Sequence, residues 1–318
     1  MAVKVQYPNA ERLMVGDLQN LRALAEFLQR TEFKFDLLSS IKELQKQIKN
    51  EFDFLLEAKN MNFMQKKLSS SCKEVVIPQA VFSTKRVLVM TFIEGDNLCK
   101  LAEFKDRNNT VPAFVKQKLG RGLLNVLAKA WGEMIFELQF FNADPHPGNV
   151  CVSRRGQVGL LDWGQVKRIS DSTVYKFATM VEAMNSQNCT QIISAFNNLG
   201  IKVNDPSNLK FVEGMALTML DTRRVPGFVI DPFSPESSVS NNTVVAMPSD
   251  LYFLVRTVQL MRGIAYAFEL DYSLAAAWAP YARRAISRTG KSVRDLIPVP
   301  RTLKIVAVGC NANTSKVH

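Results

Sequence analysis

Residues 140–164 read FFNADPHPGNVCVSRRGQVGLLDWG, and this stretch decides the fold. Two apolar, β-branched runs, Val150–Ser153 and Val158–Leu161, flank the residues at 154–157, which include a glycine. Short runs of this kind on either side of a turn predict a small β-hairpin. Because the two strands of a hairpin run antiparallel, we expect Asn149 and Asp162 to lie side by side at its open end.

Three polar side chains follow one another in this stretch: Asp144, Asn149 and Asp162. A kinase-type active site uses this order, with one carboxylate that orients the acceptor and then an amide and a second carboxylate that hold Mg²⁺ on the ATP phosphates. A simpler interpretation is that Asp-Pro-His-Pro-Gly-Asn contains common turn residues, and Asp-Trp-Gly alone is a weak signal. The combined spacing favours the phosphoryl-transfer site.

The strings at 143–149 (ADPHPGN) and 160–164 (LLDWG) together closely resemble the signature of the UbiB/ADCK family, the AarF-type atypical kinases. The resemblance implies a kinase-like protein that binds ATP and Mg²⁺. It assigns Asp144 as the acceptor-orienting base, and Asn149 and Asp162 as the metal ligands. It also implies a role in isoprenoid quinone (coenzyme Q type) or lipid metabolism, in a mitochondrion or a plastid. The partners it implies are an isoprenoid lipid or quinone-biosynthesis proteins.

A second match lies near the first residue. Ala2–Gln6 (AVKVQ) is similar to the kinase strand whose lysine, here Lys4, anchors the α- and β-phosphates and pairs with a glutamate on a helix. A lone lysine in an apolar strand otherwise marks an exposed sheet edge. A helical pattern at 37–67 contains Glu57, which the resemblance assigns as the partner of Lys4.

The same helical pattern contains the family's E-x-D motif, which the resemblance places at Glu51 and Asp53. Further along, an apolar, β-branched run predicts a strand that leads into the hinge between two lobes. Backbone groups of Met90 and Phe92 are expected to receive adenine there.

A long helical pattern, Pro112–Phe141, precedes the catalytic loop, and an N-cap cluster at Ser170 starts another helix six residues after Gly164. This spacing leaves no room for a long activation segment that would hold a peptide. A small or membrane-borne acceptor therefore fits better. Small-molecule phosphotransferases of the aminoglycoside or choline type share the short segment, but they typically carry a His-x-Asp catalytic loop.

Because the sequence begins at the Lys4 strand, the two preceding strands and the phosphate-covering loop of a kinase small lobe are expected to be absent. Lys4 would then lie on a strand with an unpaired edge. This favours, as an alternative, a catalytically impaired scaffold or lipid-binding accessory of the same fold. At Asn142, where relatives usually carry His or Gln, the sequence alone assigns no consequence.

The charge distribution bears on the partners. The formal net charge is +11, and residues 279–318 carry eight Lys or Arg against one acidic residue, Asp295. Such a basic tail is typical of peripheral contact with an anionic membrane or of a solvated, disordered end. The sequence gives no sign of a basic groove interleaved with aromatic residues, the feature that would indicate nucleic-acid binding.

The cysteine spacing and the hydropathy exclude other classes of site. Five cysteines lack C-x-x-C spacing, so neither zinc nor a disulfide framework is expected. The most apolar stretch, Leu123–Phe141, carries Lys129, Glu133 and Glu137, so we expect no transmembrane span.

Together these patterns predict an α+β, protein-kinase-like fold of two lobes: a partial small lobe at 1–91, a mostly helical large lobe at 92–280 and a basic tail at 281–318. The predicted chemistry is MgATP binding with ATPase or phosphotransferase activity. Lys4, Glu57 and Asp144 are its expected catalytic residues.

Overall fold

The computed structural model describes residues 1–31, 52–99, 112–153, 155–228 and 244–288, together with Leu38, Ile41 and Gln45. Its first part contains, in chain order, β1 (Ala2–Val5), α1 (Ala10–Thr31), α2 (Phe54–Ser71), β2 (Val75–Val76), β3 (Ala80–Ser83) and β4 (Val87–Met90). Strands β1, β4 and β3 form an antiparallel sheet in that order. In β1, Val3 and Val5 are about 60% exposed, so Lys4 between them faces α2 on the other side of the sheet.

Helix α2 begins later than the predicted helical pattern. Asp53 is its N-cap, because the Asp53 side chain accepts hydrogen bonds from the backbone N–H groups of Leu55 and Leu56 at 3.0 and 3.2 Å. A capping aspartate satisfies amide groups that have no partner within the first helical turn. The prediction that Asp53 lies inside a continuous helix from 37 to 67 was therefore wrong, and Glu51 lies outside the described residues.

The remaining elements follow the hinge. They are β5 (Gly95–Asn97), α3 (Ala113–Gly132), β6 (Phe140–Asn142), β7 (Val150–Ser153), β8 (Val158–Leu160), β9 (Val166–Arg168), α4 (Asp171–Asn185), α5 (Cys189–Asn198), β10 (Lys202–Val203), α6 (Leu209–Leu220), β11 (Val244–Ala246), α7 (Ser249–Ala267) and α8 (Leu274–Arg288). Single turns of π-helix at 133–137 and of 3₁₀-helix at 147–149 lie among them. The described architecture is thus α+β, with a mostly helical second lobe.

The predicted hairpin is confirmed as β7 and β8, which pair antiparallel with Val150 opposite Leu160. Its turn uses Gly156 at φ 77°, a left-handed conformation that glycine adopts without steric cost. Strand β5 joins the other edge of β7, and β2 runs parallel to β8. The chain therefore passes from the β4 strand through the hinge directly into the sheet that carries the β7–β8 hairpin.

The predicted helix Pro112–Phe141 is shorter in the structure. Helix α3 ends at Gly132, the π turn follows, and Gln139 takes a positive φ of 53°. Phe140 and Phe141 then enter β6, which pairs with β9. The prediction was wrong at this end because two buried phenylalanines satisfy a helical pattern as well as a strand pattern.

The core of the large lobe is aromatic. Trp278 on α8 has no exposed surface, and its Nε1–H donates to the backbone oxygen of Ala128 at 2.8 Å. The rings of Phe136 and Phe177 stack at 5.7 Å, and each meets the Trp278 ring edge-on at 5.9 Å. Helix α8 thereby packs onto α3 and α4.

The boundary predicted between 280 and 281 falls inside α8. Residues 281–288 continue that helix, and Arg284 and Arg288 form ion pairs with Glu137 at 2.8 and 3.1 Å. These residues thus belong to the helical lobe, while 289–318 lie outside the described residues. Among the helices described, none combines the length and the hydropathy needed to cross a bilayer.

Replacing Phe177 with Ala is expected to lower the free energy of unfolding by about 3–5 kcal/mol, because it empties a fully buried site between two aromatic rings. Urea denaturation followed by fluorescence measures the change. Phe114→Ala is the matched control, since Phe114 is 70% exposed and its loss is expected to cost under about 0.5 kcal/mol. Equal effects of the two substitutions would contradict the assigned core.

Candidate active site

Lys4 lies at the centre of a three-residue cluster. Its Nζ contacts Glu57 Oε1 and Oε2 at 2.8 and 3.0 Å and Asp162 Oδ2 at 3.0 Å. Glu57 is 1% exposed, while Lys4 and Asp162 each keep about a third of their side-chain surface. Three residues that are far apart in sequence thus meet at one point, as the sequence predicted for Lys4 and Glu57.

Each carboxylate is held by further contacts. Asp162 Oδ1 accepts from the backbone N–H of Gly164 at 2.9 Å, and Glu57 Oε1 lies 3.5 Å from the backbone nitrogen of Trp163. Trp163 is fully buried, and its carbonyl accepts from Asn60 Nδ2 of α2 at 3.4 Å. The segment after β8 is therefore attached to α2 by its backbone as well as by charge.

Electrostatics in the cluster reflect two carboxylates that share one ammonium group. Burial acts to lower the pKa of Lys4, but the charges of Asp162 and Glu57 outweigh it and raise that pKa above its ordinary 10.5. Burial, and then the charge of Asp162, raise the pKa of Glu57 against the opposing effect of Lys4. The cluster is therefore short of positive charge.

Asn149 and Asp144 come from the loop that precedes the hairpin. The backbone oxygen of Asn149 accepts from the N–H of Leu161 at 2.9 Å, so Asn149 lies beside the residue that precedes Asp162. His146 shapes this loop, because its Nδ1 accepts from the N–H of Gly148 at 3.1 Å. The predicted neighbours of the hairpin's open end are thus brought together by backbone pairing.

Asn142 is a site residue whose role the sequence left unassigned. Its Nδ2–H donates to the backbone oxygen of Asp162 at 2.7 Å, and its Oδ1 accepts from the backbone N–H of Asp144 at 2.8 Å. Trp131 Nε1–H in turn donates to the Asn142 carbonyl at 2.9 Å. A buried amide with both a donor and an acceptor thus joins the backbones of the two acidic segments. Its position two residues before Asp144 was the available signal.

Asp144 has a partner that the sequence did not indicate. Arg256 of α7 places one terminal nitrogen 2.9 Å from Asp144 Oδ1 and the other 2.8 Å from Gln165 Oε1. The two residues of this ion pair are separated by 112 positions. A local motif contains no signal for such a contact.

The predicted hinge residues lie at the end of β4 and in the connection that leads from it to β5. Met90 is the last residue of β4, opposite Ala2 of β1 and Ala80 of β3, and Phe92 is 66% exposed. The N–H of Thr91 donates to the backbone oxygen of Gln79 at 3.0 Å. Met90 and Phe92 thus border the connection between lobes, whereas the Thr91 N–H is already bound within the small lobe.

Replacing Glu57 with Gln is expected to lower the pKa of Lys4. Burial lowers this pKa and the charges of Asp162 and Glu57 raise it, so the substitution removes one of the two raising effects. The pH dependence of amine acylation at Lys4, followed by peptide mass spectrometry, measures this pKa. Since the native pKa of Lys4 is raised above 10.5, the contribution of the Lys4 charge to stability is present below that ordinary value and is lost as the pH rises through the raised one. Acylation of the exposed Lys66 is the internal control, and an unchanged Lys4 profile would contradict the geometry.

Comparisons with known proteins agree with this geometry. The family model described as the ABC1 atypical kinase-like domain matches residues 1–196. The chain is 22% identical over 305 residues to Protein ACTIVITY OF BC1 COMPLEX KINASE 7, chloroplastic, of Arabidopsis thaliana, which covers 90% of this chain and 41% of that protein. It is 25% identical over 299 residues to AarF domain-containing kinase 1 of Drosophila melanogaster, which covers 87% of this chain and 55% of that one.

The chain thus spans about half the length of these curated relatives. Among solved structures, the Rv3197–erythromycin complex from Mycobacterium tuberculosis superposes with a TM-score of 0.61 at 18% identity, covering 86% of this chain and 69% of that one. At this identity the likeness concerns the fold alone, and it confirms the predicted kinase-like architecture. Because the family model covers more than half of the residues, the chain belongs to the ABC1 (AarF-type) atypical kinase-like family.

Proposed function

We propose that this chain binds MgATP between its two lobes and transfers the γ-phosphoryl group to water or to a small acceptor. The observation that carries the proposal is the cluster of Lys4, Glu57 and Asp162, with Asp144 and Asn149 on the adjoining loop. Phosphoryl transfer needs positioned charge more than covalent help. In this proposal the Lys4 cation, the acidic groups and the Asn149 amide would act together on the bound phosphates.

Lys4 is the proposed phosphate anchor. Its ammonium group is held by Glu57 from the buried side, and the third of its side chain that remains exposed is available to a phosphate oxygen. A bound nucleotide would compete with Asp162 for Lys4, since the ammonium group has three donors in all. Glu57 would then keep Lys4 in place while Asp162 is released toward a metal.

The residues present fit Mg²⁺. No group of three or more His, Cys, Asp or Glu side chains in the described ranges is arranged for a metal ion, yet Mg²⁺ in nucleotide sites commonly uses one or two protein carboxylates, the substrate phosphates and water. Asp162 and Asn149 would supply oxygen ligands, and the shortage of positive charge around Glu57 and Asp162 favours a cation there. When bound, Mg²⁺ would neutralise the phosphate charge that develops during transfer.

Asp144 is the proposed base. It would orient the acceptor hydroxyl or water and accept its proton as the new bond from oxygen to the γ-phosphorus forms. The bond from that phosphorus to the β–γ bridging oxygen breaks, and ADP leaves with the electron pair. Backbone groups at Met90 and Phe92, at the junction of the lobes, are the proposed adenine contacts.

The acceptor we propose is a small or membrane-borne molecule of isoprenoid quinone or lipid metabolism. Support comes from the short segment after Gly164, where β9 and the N-cap Ser170 follow at once and leave no platform for a peptide. Two Arabidopsis relatives are named as chloroplastic, which supports the plastid as one proposed location, beside the mitochondrion. The basic residues beyond 288 are the proposed contact with anionic lipid.

The Asp162→Asn variant tests the proposal through ligand-induced stabilisation. At a nucleotide concentration 100 times the dissociation constant, MgATP should stabilise the native chain by about 2.7 kcal/mol, and this gain should require Mg²⁺. In Asp162→Asn the Mg-dependent part should disappear. Thermal unfolding with ATP, with and without Mg²⁺, together with calorimetry, measures both.

The matched control is Asp205→Asn, a change of the same chemistry at an exposed loop position, which should leave the MgATP response intact. Because Asp162→Asn also removes an ion pair, the shift caused by ligand is compared rather than the absolute Tm. A native chain without a Mg-dependent shift would contradict the proposal and favour a non-catalytic scaffold of the same fold. An unchanged shift in Asp162→Asn would remove Asp162 from the metal site.

A further inference from the structure

We propose that Arg256 is a positioning residue that holds Asp144 in its working orientation and couples it to the segment carrying Asp162. This inference rests on the proposed function. Its basis is the pair of contacts from one guanidinium group to Asp144 Oδ1 at 2.9 Å and to Gln165 Oε1 at 2.8 Å.

The two contacts close a ring between the two acidic segments. Gln165 directly follows Gly164, and its backbone oxygen accepts from the N–H of Ala143 at 2.9 Å, next to Asp144. The guanidinium group of Arg256 then spans the side chains of Asp144 and Gln165. Rotation of the Asp144 carboxylate therefore requires either loss of this ion pair or movement of the segment after Asp162.

Arginine suits this position better than lysine. A planar guanidinium group presents two terminal nitrogens in a fixed fork, so it can hold two oxygen acceptors with a defined distance between them. A lysine ammonium group would act as a point charge on a flexible chain and would fix neither acceptor. Because Arg256 bonds Oδ1 of Asp144, the other carboxylate oxygen is left to take the acceptor's proton.

The helix that carries Arg256 is firmly placed. Leu254 and Val258, on either side of it in α7, have no exposed surface, and Phe253 is 1% exposed. At the start of the helix, Asp250 lies 3.4 Å from Thr173 of α4. A cation on a packed helix can hold a loop carboxylate with little loss of freedom on each turnover, as preorganised sites require.

A purely structural role would give a different result. The side chains of Arg256 and Asp144 are 31% and 19% exposed, so solvent reaches both groups and screens the charge that Asp144 would keep without its partner. Removing Arg256 should therefore leave the fold and the nucleotide site intact. The loss should appear in the rate at saturating MgATP, since a misplaced reacting group can cost up to about 100-fold.

The experiment compares Arg256→Gln and Arg256→Lys with the matched control Arg283→Gln. Arg283 lies on α8, and its replacement breaks another partly exposed ion pair, the one with Glu182. We expect ATP turnover at saturating MgATP to fall about 10- to 100-fold in Arg256→Gln and to recover only in part in Arg256→Lys. The calorimetric dissociation constant for MgATP should stay within about twofold, and Arg283→Gln should match the native chain.

Hydrogen exchange supplies a readout independent of turnover. Peptides covering 140–149 and 162–168 should exchange faster in Arg256→Gln than in the native chain or in Arg283→Gln. Unchanged exchange, turnover within twofold of native, or a parallel loss of MgATP affinity would each overturn the positioning role. A native chain that binds no MgATP would instead contradict the proposed function, while the exchange comparison still decides whether Arg256 couples the two segments.

Discussion

The ammonium group of Lys4 is shared by Glu57 and Asp162, and the arrangement of the site depends on this contact. The three residues come from β1, from α2 and from the turn after β8, so a single charged group ties two elements of the small lobe to the β7–β8 hairpin. Because Glu57 is buried, its charge would be costly without a partner. The position of α2 against β1 is thus coupled to the charge of Lys4.

Backbone pairing places the other half of the site. The β6–β9 pair and the β7–β8 hairpin fix where the loop at 143–149 leaves one sheet and where the segment at 161–165 leaves another. Asn142 then joins the two segments through a donor and an acceptor on one buried amide. This network is satisfied on both sides, so it favours one relative position of the acidic groups.

The sequence predicted the parts of this site that have local signals. The hairpin follows from two β-branched runs around a glycine turn, the helix after Ser170 from its N-cap, and the Lys4–Glu57 pair from a family resemblance carried over residue by residue.

Asp53 was misplaced because a capping aspartate followed by apolar residues also fits a helix interior. The end of α3 was misplaced because the left-handed conformation of Gln139 leaves no mark on hydrophobic periodicity. The Arg256–Asp144 pair could not be predicted, since contacts across 112 residues depend on how the helices pack.

For the proposed nucleotide site, two carboxylates around one ammonium group imply that ligand binding and metal binding are coupled. In the arrangement described, Asp162 neutralises the exposed side of Lys4, and its charge helps to raise the pKa of Glu57. A phosphate oxygen could take over that side of Lys4 only if Asp162 found another cation, because otherwise three anionic groups would surround one ammonium group. Anionic ligand and divalent cation are therefore expected to bind together, each relieving the repulsion that the other would meet alone. Glu57 is only 1% exposed, so it would remain on Lys4 throughout.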